Sequence, residues 1–350
     1  MSASVLVTGA TGWLGVRLVR SLCLGLPGVA LRGPKPGTRR VRCLVQPGTA
    51  GRLEDLSTLV DLVEGDLRDP EAAARFVAGA EGATLFHCAG VVHPRSGTHE
   101  FYEVHVAGTV ALLRAAEAAR VRRLVAVSSN SPFGFNGPSE ALFDERSPHR
   151  PYRHYGRSKM QMELVMQEAE ARGNIETVII RPCWFYGPGQ PARQTRLFSL
   201  IRDGTIPLIG EGQNLRSMAY VDNVCQGLLL AENTDGARGQ AYWIADARPY
   251  PMHEVIDTIE RLLEAEFGTP VAHRRRRIPA LACSVARGLD AIIQTTGSYH
   301  QELHMLGEYN RSIACSIEKA SRELGYQPAV DLEEGMRRSM AWCRERGIRL

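Results

Sequence analysis

Tyr155 and Lys159 stand four residues apart in the stretch YGRSK. On a helix, residues at that spacing share a face, so a phenol and an ammonium become neighbours. A free phenol, with a pKa of about 10, is a poor base at neutral pH. A nearby ammonium favours the phenolate and lowers that value. Ser129 ends the strand-like run RLVAVSS and is placed to hydrogen-bond a substrate oxygen. Y-x-x-x-K by itself is a common surface pair. Its position after a serine-ended strand is what gives it weight here.

A second chemical feature opens the chain. In VLVTGATGWLG (residues 5–15), four strand-forming residues lead directly into Gly9, Gly12 and Gly15. The glycines allow a tight turn, a close backbone approach and a helix packed on the strand. A strand, a glycine turn and a helix start together aim free backbone N–H groups at an anion.

These residues need a frame, and the chain spells one out. Strand patterns recur at residues 40–46, 59–66, 84–90, 123–129 and 176–182. Helical patterns fill the gaps, most clearly at 100–119 and 152–172. Strands alternating with helices predict an α/β fold with a Rossmann-type, doubly wound parallel sheet and a smaller C-terminal substrate-binding region. The ligand belongs beyond the carboxyl ends of the strands. The segment 24–40 is rich in Gly, Pro and basic residues and reads as an exposed loop.

Bulk properties exclude other classes. The 350 residues are 44% hydrophobic and 23% charged, with a net charge of +4, which is ordinary for a globular protein and gives no reason to expect nucleic acid. The eight cysteines are scattered without a C-x-x-C pair, so neither a zinc site nor a disulfide framework is expected. A strand within a few residues of the start leaves no room for a signal peptide, and no apolar run approaches the roughly 20 residues of a membrane span. A cytoplasmic location is the expectation.

Taken together, the motifs resemble the extended short-chain dehydrogenase/reductases, the NAD-dependent epimerase/dehydratase family. The matching stretches are the glycine turn at 8–15, GDLRD at 65–69, VSSNSPFG at 127–134, YGRSK at 155–159, RPCWFYGPG at 181–189 and YVDNV at 220–224. The tail CSIEKASRELGYQPAVDLEEGMRRSMAW is similar to the family's closing segment. FHCAG, RPCWFYGPG and GEGQNL place the chain nearest the 3β-hydroxysteroid and sterol-carboxylate dehydrogenase branch.

The resemblance implies a dinucleotide-binding region over 1–183, rejoined by 219–247, and a substrate region over 184–218 and 248–350. It implies NAD or NADP as cofactor. Gly9, Thr11, Gly12, Trp13 and Leu14 would hold the pyrophosphate, Asp66 and Leu67 would flank the adenine, and Asp66 would accept from its amino group. Ala89 and Gly90 would pass the ribose, and Pro182 and Cys183 would line the nicotinamide. Tyr155 would be the general acid/base, Lys159 would orient the nicotinamide ribose, and Ser129 would fix the reacting oxygen. Gln46 stands where the family often has an acid for NAD or an arginine for NADP. It can bond a 2′-hydroxyl but cannot neutralise a 2′-phosphate, and Arg42 and Arg52 are the candidates to compensate, so the lean is to NAD. Related enzymes pair the helices at 100–119 and 152–172, which implies a homodimer.

The substrate signals are divided. Trp184 replaces an asparagine that sugar-nucleotide enzymes use on a diphosphate, which suits an apolar substrate. Arg216, four residues before Tyr220, suits a diphosphate. Asn130 and Ser131 follow Ser129, so the acidic pair of sugar 4,6-dehydratases is absent. His93 borders the expected pocket as a loop histidine. His105 replaces a usual asparagine and reads either as a helix histidine bonded to a backbone carbonyl or as a proton relay behind Lys159. The run HRRRRIP (273–279) reads as a solvated basic loop. The helix after it, with Leu281, Val285, Leu289, Ile292 and Ile293 on one face, is expected to pack over the pocket. On that reading a peripheral membrane contact is the less favoured alternative.

The leading expectation is therefore an NAD(P)-dependent oxidoreductase interconverting a secondary alcohol and a ketone on a sterol-like or other apolar alicyclic small molecule, without a metal. A nucleotide-sugar 4-epimerase with tightly bound NAD is the alternative. A non-catalytic nucleotide-sensing protein is the third reading.

Overall fold

The computed structural model describes residues 5–29, 33–137 and 142–350. A seven-stranded parallel sheet forms its centre. Its strands are β1 (Val5–Thr8), β2 (Val41–Val45), β3 (Val60–Glu64), β4 (Thr84–His87), β5 (Arg123–Val127), β6 (Glu176–Pro182) and a last strand, Ala241–Ile244. From one edge the order is Ala241–Ile244, β6, β5, β4, β1, β2, β3. The chain therefore winds outward from β1 to β3, then crosses back to lay β4 on the other side of β1. That reversal opens a crevice at the carboxyl ends of β1 and β4, the usual ligand position in such sheets.

Both faces of the central strands are covered, so β1, β4 and β5 are buried along their length, while the edge strand β3 exposes Leu62 and Glu64. In β1, Val5 and Val7 face one core with Leu18, Val224 and Leu228. Leu6 points to the opposite core with Phe76, Leu112 and Met162. This is the alternation that a period-two backbone imposes. A third core lies beyond the sheet, where Trp184–Tyr186 pairs in parallel with Met218–Tyr220. Phe198, Ile201, Val255, Ile259 and Met340 fill it.

Several boundaries differ from the sequence reading, and the strands expected at 84–90 and 123–129 already end at His87 and Val127. The third strand stops at Glu64 because Gly65 and Asp66 already turn toward the crevice. The helix expected at 100–119 begins at His99 and contains one π-helical stretch, Glu103–Ala107, before continuing as Gly108–Ala118. The segment 24–40 is irregular and mostly exposed where it is described, and its residues 30–32 lie outside the described residues.

The glycine turn shows why no side chain is tolerated there. Gly9 has φ +66°, and a Cβ on it would lie 2.5 Å from the Ala89 backbone nitrogen. A Cβ on Gly15 would lie 2.0 Å from the Gly9 carbonyl oxygen. β1, β4 and the helix Trp13–Leu24 thus meet at backbone distance. Gly15→Ala forces that helix off the turn and should lower the unfolding free energy by about 1–3 kcal/mol, the usual cost of overpacking. Urea unfolding checks this, and an unchanged midpoint would refute the close packing.

Candidate active site

Most of the cofactor-side residues singled out from the sequence fall at the carboxyl ends of the parallel strands. Gly9 follows β1, Gln46 follows β2, Asp66 and Leu67 follow β3, Ala89 and Gly90 follow β4, Ser129 follows β5, and Pro182 and Cys183 close and follow β6. In the glycine turn, Gly12 N–H donates to Gly9 C=O (2.9 Å), and the first bond within the helix runs from Val16 N–H to Gly12 C=O (2.8 Å). The N–H groups of Trp13, Leu14 and Gly15 therefore have no acceptor in the preceding turn. The first turn of that helix carries no acidic residue. Trp13 caps the turn by donating its indole N–H to the Pro188 carbonyl (2.8 Å).

Around the adenosine side, Gln46 is exposed. Arg42 turns away to the carbonyls of Phe76 (3.0 Å) and Ala78 (2.7 Å). Arg52 donates to the Thr11 carbonyl (3.0 Å). Asp66 is gripped on both oxygens by the Arg68 guanidinium (2.9 and 2.7 Å), which holds its carboxyl below the usual range. Arg68 was not anticipated, since its role depends on the turn that folds it back onto Asp66. Leu67 is buried beneath Gly108 of the π-bulged helix.

The helix Arg153–Arg172 carries Tyr155 and Lys159. It starts under strain, with Arg153 at φ +56°. A non-glycine residue there costs on the order of 1–3 kcal/mol. Its guanidinium is tied to the Arg287 carbonyl at 2.7 Å. Burial pushes the Tyr155 phenol above its ordinary value, and the Ser129 hydroxyl partly offsets this by bonding it. Lys159 does not supply the expected lowering. Its ammonium points inward and donates to the Val127 carbonyl (3.0 Å). Burial brings Lys159 down to about 8, against the opposing pull of Glu163.

Glu163, one turn beyond Lys159, is completely buried. It accepts from Ser128 (2.5 Å), from Arg181 (3.1 and 2.7 Å) and lies 3.3 Å from His149. Burial opposes its ionisation, yet Arg181 and these hydrogen bonds hold its pKa below the usual carboxylate value. Arg181 in turn lies over the Phe133 ring, 4.5 Å from its centroid. The sequence offered only a weak sign of this pair, a carboxylate four residues after Lys159.

A neutral network lies on the other side. His105 Nε2 accepts from Val91 N–H (3.0 Å), so its proton sits on Nδ1 and is donated to Ser158 (2.8 Å). Ser158 donates onward to the Tyr155 carbonyl (2.9 Å). Burial and the nearby Lys159 charge hold His105 well below its ordinary pKa. The expected carbonyl partner is thus corrected to a backbone amide, because the π-bulge turns the ring toward the loop after β4. His87 was missed. It bridges Thr8 (2.7 Å) and Thr109 (3.0 Å), and burial lowers it to about 3. Thr109 already donates to the His105 carbonyl (2.6 Å), so it accepts from His87 Nε2–H, and Thr8 donates to Nδ1. FHCAG contains that histidine, but only the fold shows it linking two elements.

On the substrate side, Tyr299 stands near Tyr155, with the fully buried Phe101 packed behind both rings. Phe101 lies 5.6 Å from the Tyr155 ring and 5.7 Å from the Tyr299 ring. His93 meets Tyr299 at 3.3 Å, and burial lowers it to about 4. Arg193, unmarked by any motif, is exposed on this side, and its charge is felt by Tyr155, Tyr299 and His93. Arg216 is buried and donates to the Glu308 carbonyl (2.7 Å). Trp184 packs against the third core. Cys183 is buried with its sulfur 3.5 Å from that of Cys315, a proximity that the scattered cysteine positions did not reveal.

The helix Ala280–Thr295 reverses the expected orientation. Leu281, Val285, Leu289 and Ile292 face solvent, while Cys283, Ala286, Asp290 and Gln294 are buried. The inner positions are polar because they answer other polar groups. Asp290 accepts from Gln294 (2.9 Å) and contacts His304 (3.0 Å), and Gln294 accepts from His154 N–H (3.3 Å).

The crevice fits a dinucleotide. The glycine positions leave a cradle a Cβ would fill, and the free N–H groups suit a pyrophosphate. Residues 5–245 match the NAD dependent epimerase/dehydratase family. Over 98% of the chain and 96% of its counterpart, the sequence is 46% identical to "Uncharacterized protein y4nL" of Sinorhizobium fredii. It is 29% identical, over 94% of the chain and 93% of its counterpart, to a 4-hydroxy-2-methyl-3-oxo-4-farnesyl-3,4-dihydroquinoline-1-oxide ketoreductase of Stigmatella aurantiaca. Among solved structures, DesIV, a dTDP-glucose 4,6-dehydratase of Streptomyces venezuelae with NAD and TYD bound, superposes with a TM-score of 0.74. That match has 28% identity and covers 98% of each chain.

The buried carboxylate behind Lys159 gives a direct test. Glu163→Gln leaves Arg181 as a buried charge with a neutral partner. The fold should lose about 3–5 kcal/mol, the cost of breaking a buried pair from one side. Chemical denaturation measures it, and a loss below about 1 kcal/mol would show that the pair is not desolvated.

Proposed function

The chain belongs to the NAD-dependent epimerase/dehydratase family, and from that premise we propose that it interconverts a secondary alcohol and a ketone, with Tyr155 as general acid/base. The observation that carries the reading is that the end of β5 holds both groups, Ser129 bonding Tyr155 and the Val127 carbonyl holding the Lys159 ammonium, which lies 3.4 Å from where a Cβ on Gly90 would be. Residues 9–15 would hold the pyrophosphate and Lys159 the nicotinamide ribose. A bound nicotinamide supplies the hydride acceptor or donor. Ser129 donates to the substrate oxygen, and Tyr155 removes or returns its proton. Burial keeps Tyr155 protonated in the site as it stands, and the Ser129 hydrogen bond acts to lower its pKa toward the acid/base role.

We propose NAD as the cofactor, supported by an exposed Gln46 whose neighbouring arginines are held by backbone carbonyls. The substrate we propose is an apolar ring- or chain-bearing ketone. The half-buried pair Tyr299 and His93 supports this, as does the farnesyl-bearing compound in the name of the Stigmatella relative. One observation favours the second reading, a nucleotide-sugar epimerase. Arg193 stands on the substrate side with no ion pair among the described residues and would suit an anionic group. The dehydratase chemistry of DesIV is not carried over, because Asn130 and Ser131 supply no acid.

Tyr155→Phe should cut turnover by roughly 10²–10⁴ while leaving NAD affinity close to that of the parent. Steady-state rates and NADH titration measure both, and near-normal turnover would end the assignment. Arg193→Ala separates the substrates. Binding of a UDP-sugar should weaken by about 1.5–3 kcal/mol if an anion sits there, the scale of a hydrogen bond to a charged group. With an apolar ketone as substrate, its KM should hold. Calorimetry with UDP-glucose and kinetics with a 3-ketosteroid decide between them.

A further inference from the structure

Soluble helices normally hide their apolar stripe, and the helix Ala280–Thr295 does the opposite. Leu281, Val285, Leu289 and Ile292 are 72%, 53%, 46% and 64% exposed. Their spacing of four, four and three residues lines them along one side. The other exposed positions within that stretch are Ser284 and Gly288, so no carboxylate faces outward from Leu281 to Ile292. Met305, on the adjoining helix Gln301–Glu308, is also exposed. The helix cannot roll to bury the stripe. Its inner side is pinned by Asp290 on His304 and by Arg287, which donates to the Gly307 carbonyl (2.9 Å) and to Asn310 (3.0 Å).

Charge lies at one end of this face. In the preceding run, His273 pairs with Glu264 and Arg275 with Asp257 and Glu260. Arg274 and Arg276 are exposed and have no ion pair among the described residues. The face is thus apolar with a cationic end. An anionic bilayer answers both features, the acyl boundary for the leucine stripe and the phosphate headgroups for the arginines. The stripe of a second copy would bring these arginines no carboxylate, and the exposed acid beside it, Glu302, lies on the adjoining helix. The stripe spans about 16 Å, long enough to lie in an interface and too short to cross one.

We propose that the outer face of Ala280–Thr295, with Arg274 and Arg276, docks this protein on an anionic lipid surface. The inner side of the same helix reaches the candidate site. Its Gln294 accepts from His154 N–H (3.3 Å), Gly297 C=O beyond it accepts from Thr98 N–H (2.8 Å), and Tyr299 meets His93 at 3.3 Å. Docking therefore sets lipid beside the cap of the substrate pocket. This deepens the apolar-substrate reading and rests on it for its purpose, while the docking itself is measured without turnover.

The test is co-sedimentation of the full chain with phosphatidylglycerol vesicles and with phosphatidylcholine vesicles, alongside light scattering. The parent protein should sediment with the first and far less with the second, and should be released by salt. Leu281→Ser with Ile292→Ser should lower the vesicle partition roughly tenfold or more by removing apolar contact. Arg274→Glu with Arg276→Glu should lower it at least fivefold per residue, the factor of about 1 kcal/mol for each cation near the surface. If the serine pair loses its cooperative melt, the glutamate pair, which touches no core, carries the test. Absent sedimentation, or sedimentation unchanged in both variants, overturns the proposal. So does a dimer that falls to monomer in the serine pair without vesicle binding, since that would assign the face to a second copy. A dimer through the helices at 100–119 and 152–172 would be untouched by these changes.

Discussion

Burying the Lys159 ammonium is costly, and much of the interior is arranged around that cost. A charge removed from water loses several kcal/mol of solvation unless the protein replaces it. Here the Val127 carbonyl accepts one hydrogen bond, and Glu163 supplies an opposite charge one helical turn away. Glu163 is dry as well, so it requires Arg181, Ser128 and His149. Arg181 then rests on Phe133 and near Trp243. Following one charge to the next links β5, the helix Arg153–Arg172, β6 and the last strand of the sheet. The helix Arg153–Arg172 is thereby fixed against β5, which leads into Ser129.

The opposite side of the lysine is held by neutral groups. His87 and His105 are both kept unprotonated by burial. Two imidazolium charges beside a buried ammonium would repel it, whereas neutral rings add hydrogen bonds without adding charge. Their tautomers are set by partners that can only donate or only accept, such as the Val91 amide and the His105 carbonyl. The loop after β4, where Ala89 and Gly90 lie, is therefore tied to the helix Arg153–Arg172 through His105 and Ser158.

The cap over the substrate side follows a different rule. Its inner surface is polar because Asp290, Gln294 and His304 satisfy one another, Gln294 accepts from the start of the helix Arg153–Arg172, and Arg287 bonds Gly307 and Asn310. The strained Arg153 is held by the same cap. With polar groups facing inward, the apolar stripe has only the outside left to it.

Much of this was written in the chain itself. The alternation of Val5, Leu6 and Val7 dictates a strand covered on both faces, and the glycines at 9, 12 and 15 dictate a turn that no side chain can enter. Tyr155 and Lys159 share a helix face because backbone geometry leaves no choice at that spacing. These features are legible because they depend on local periodicity and on steric exclusion. Other features were settled only by the fold. Periodicity shows that Leu281, Val285, Leu289 and Ile292 share a side, but not whether that side faces a core. The lysine's direction was equally hidden, since it depends on a carbonyl 32 residues away. So were the pairing of Glu163 with Arg181 and the bridge His87 makes between Thr8 and Thr109. Each joins residues that the sequence separates and the sheet brings together. Where a buried polar group finds its partner is set by the three-dimensional path of the chain, and spacing along one segment does not carry that information.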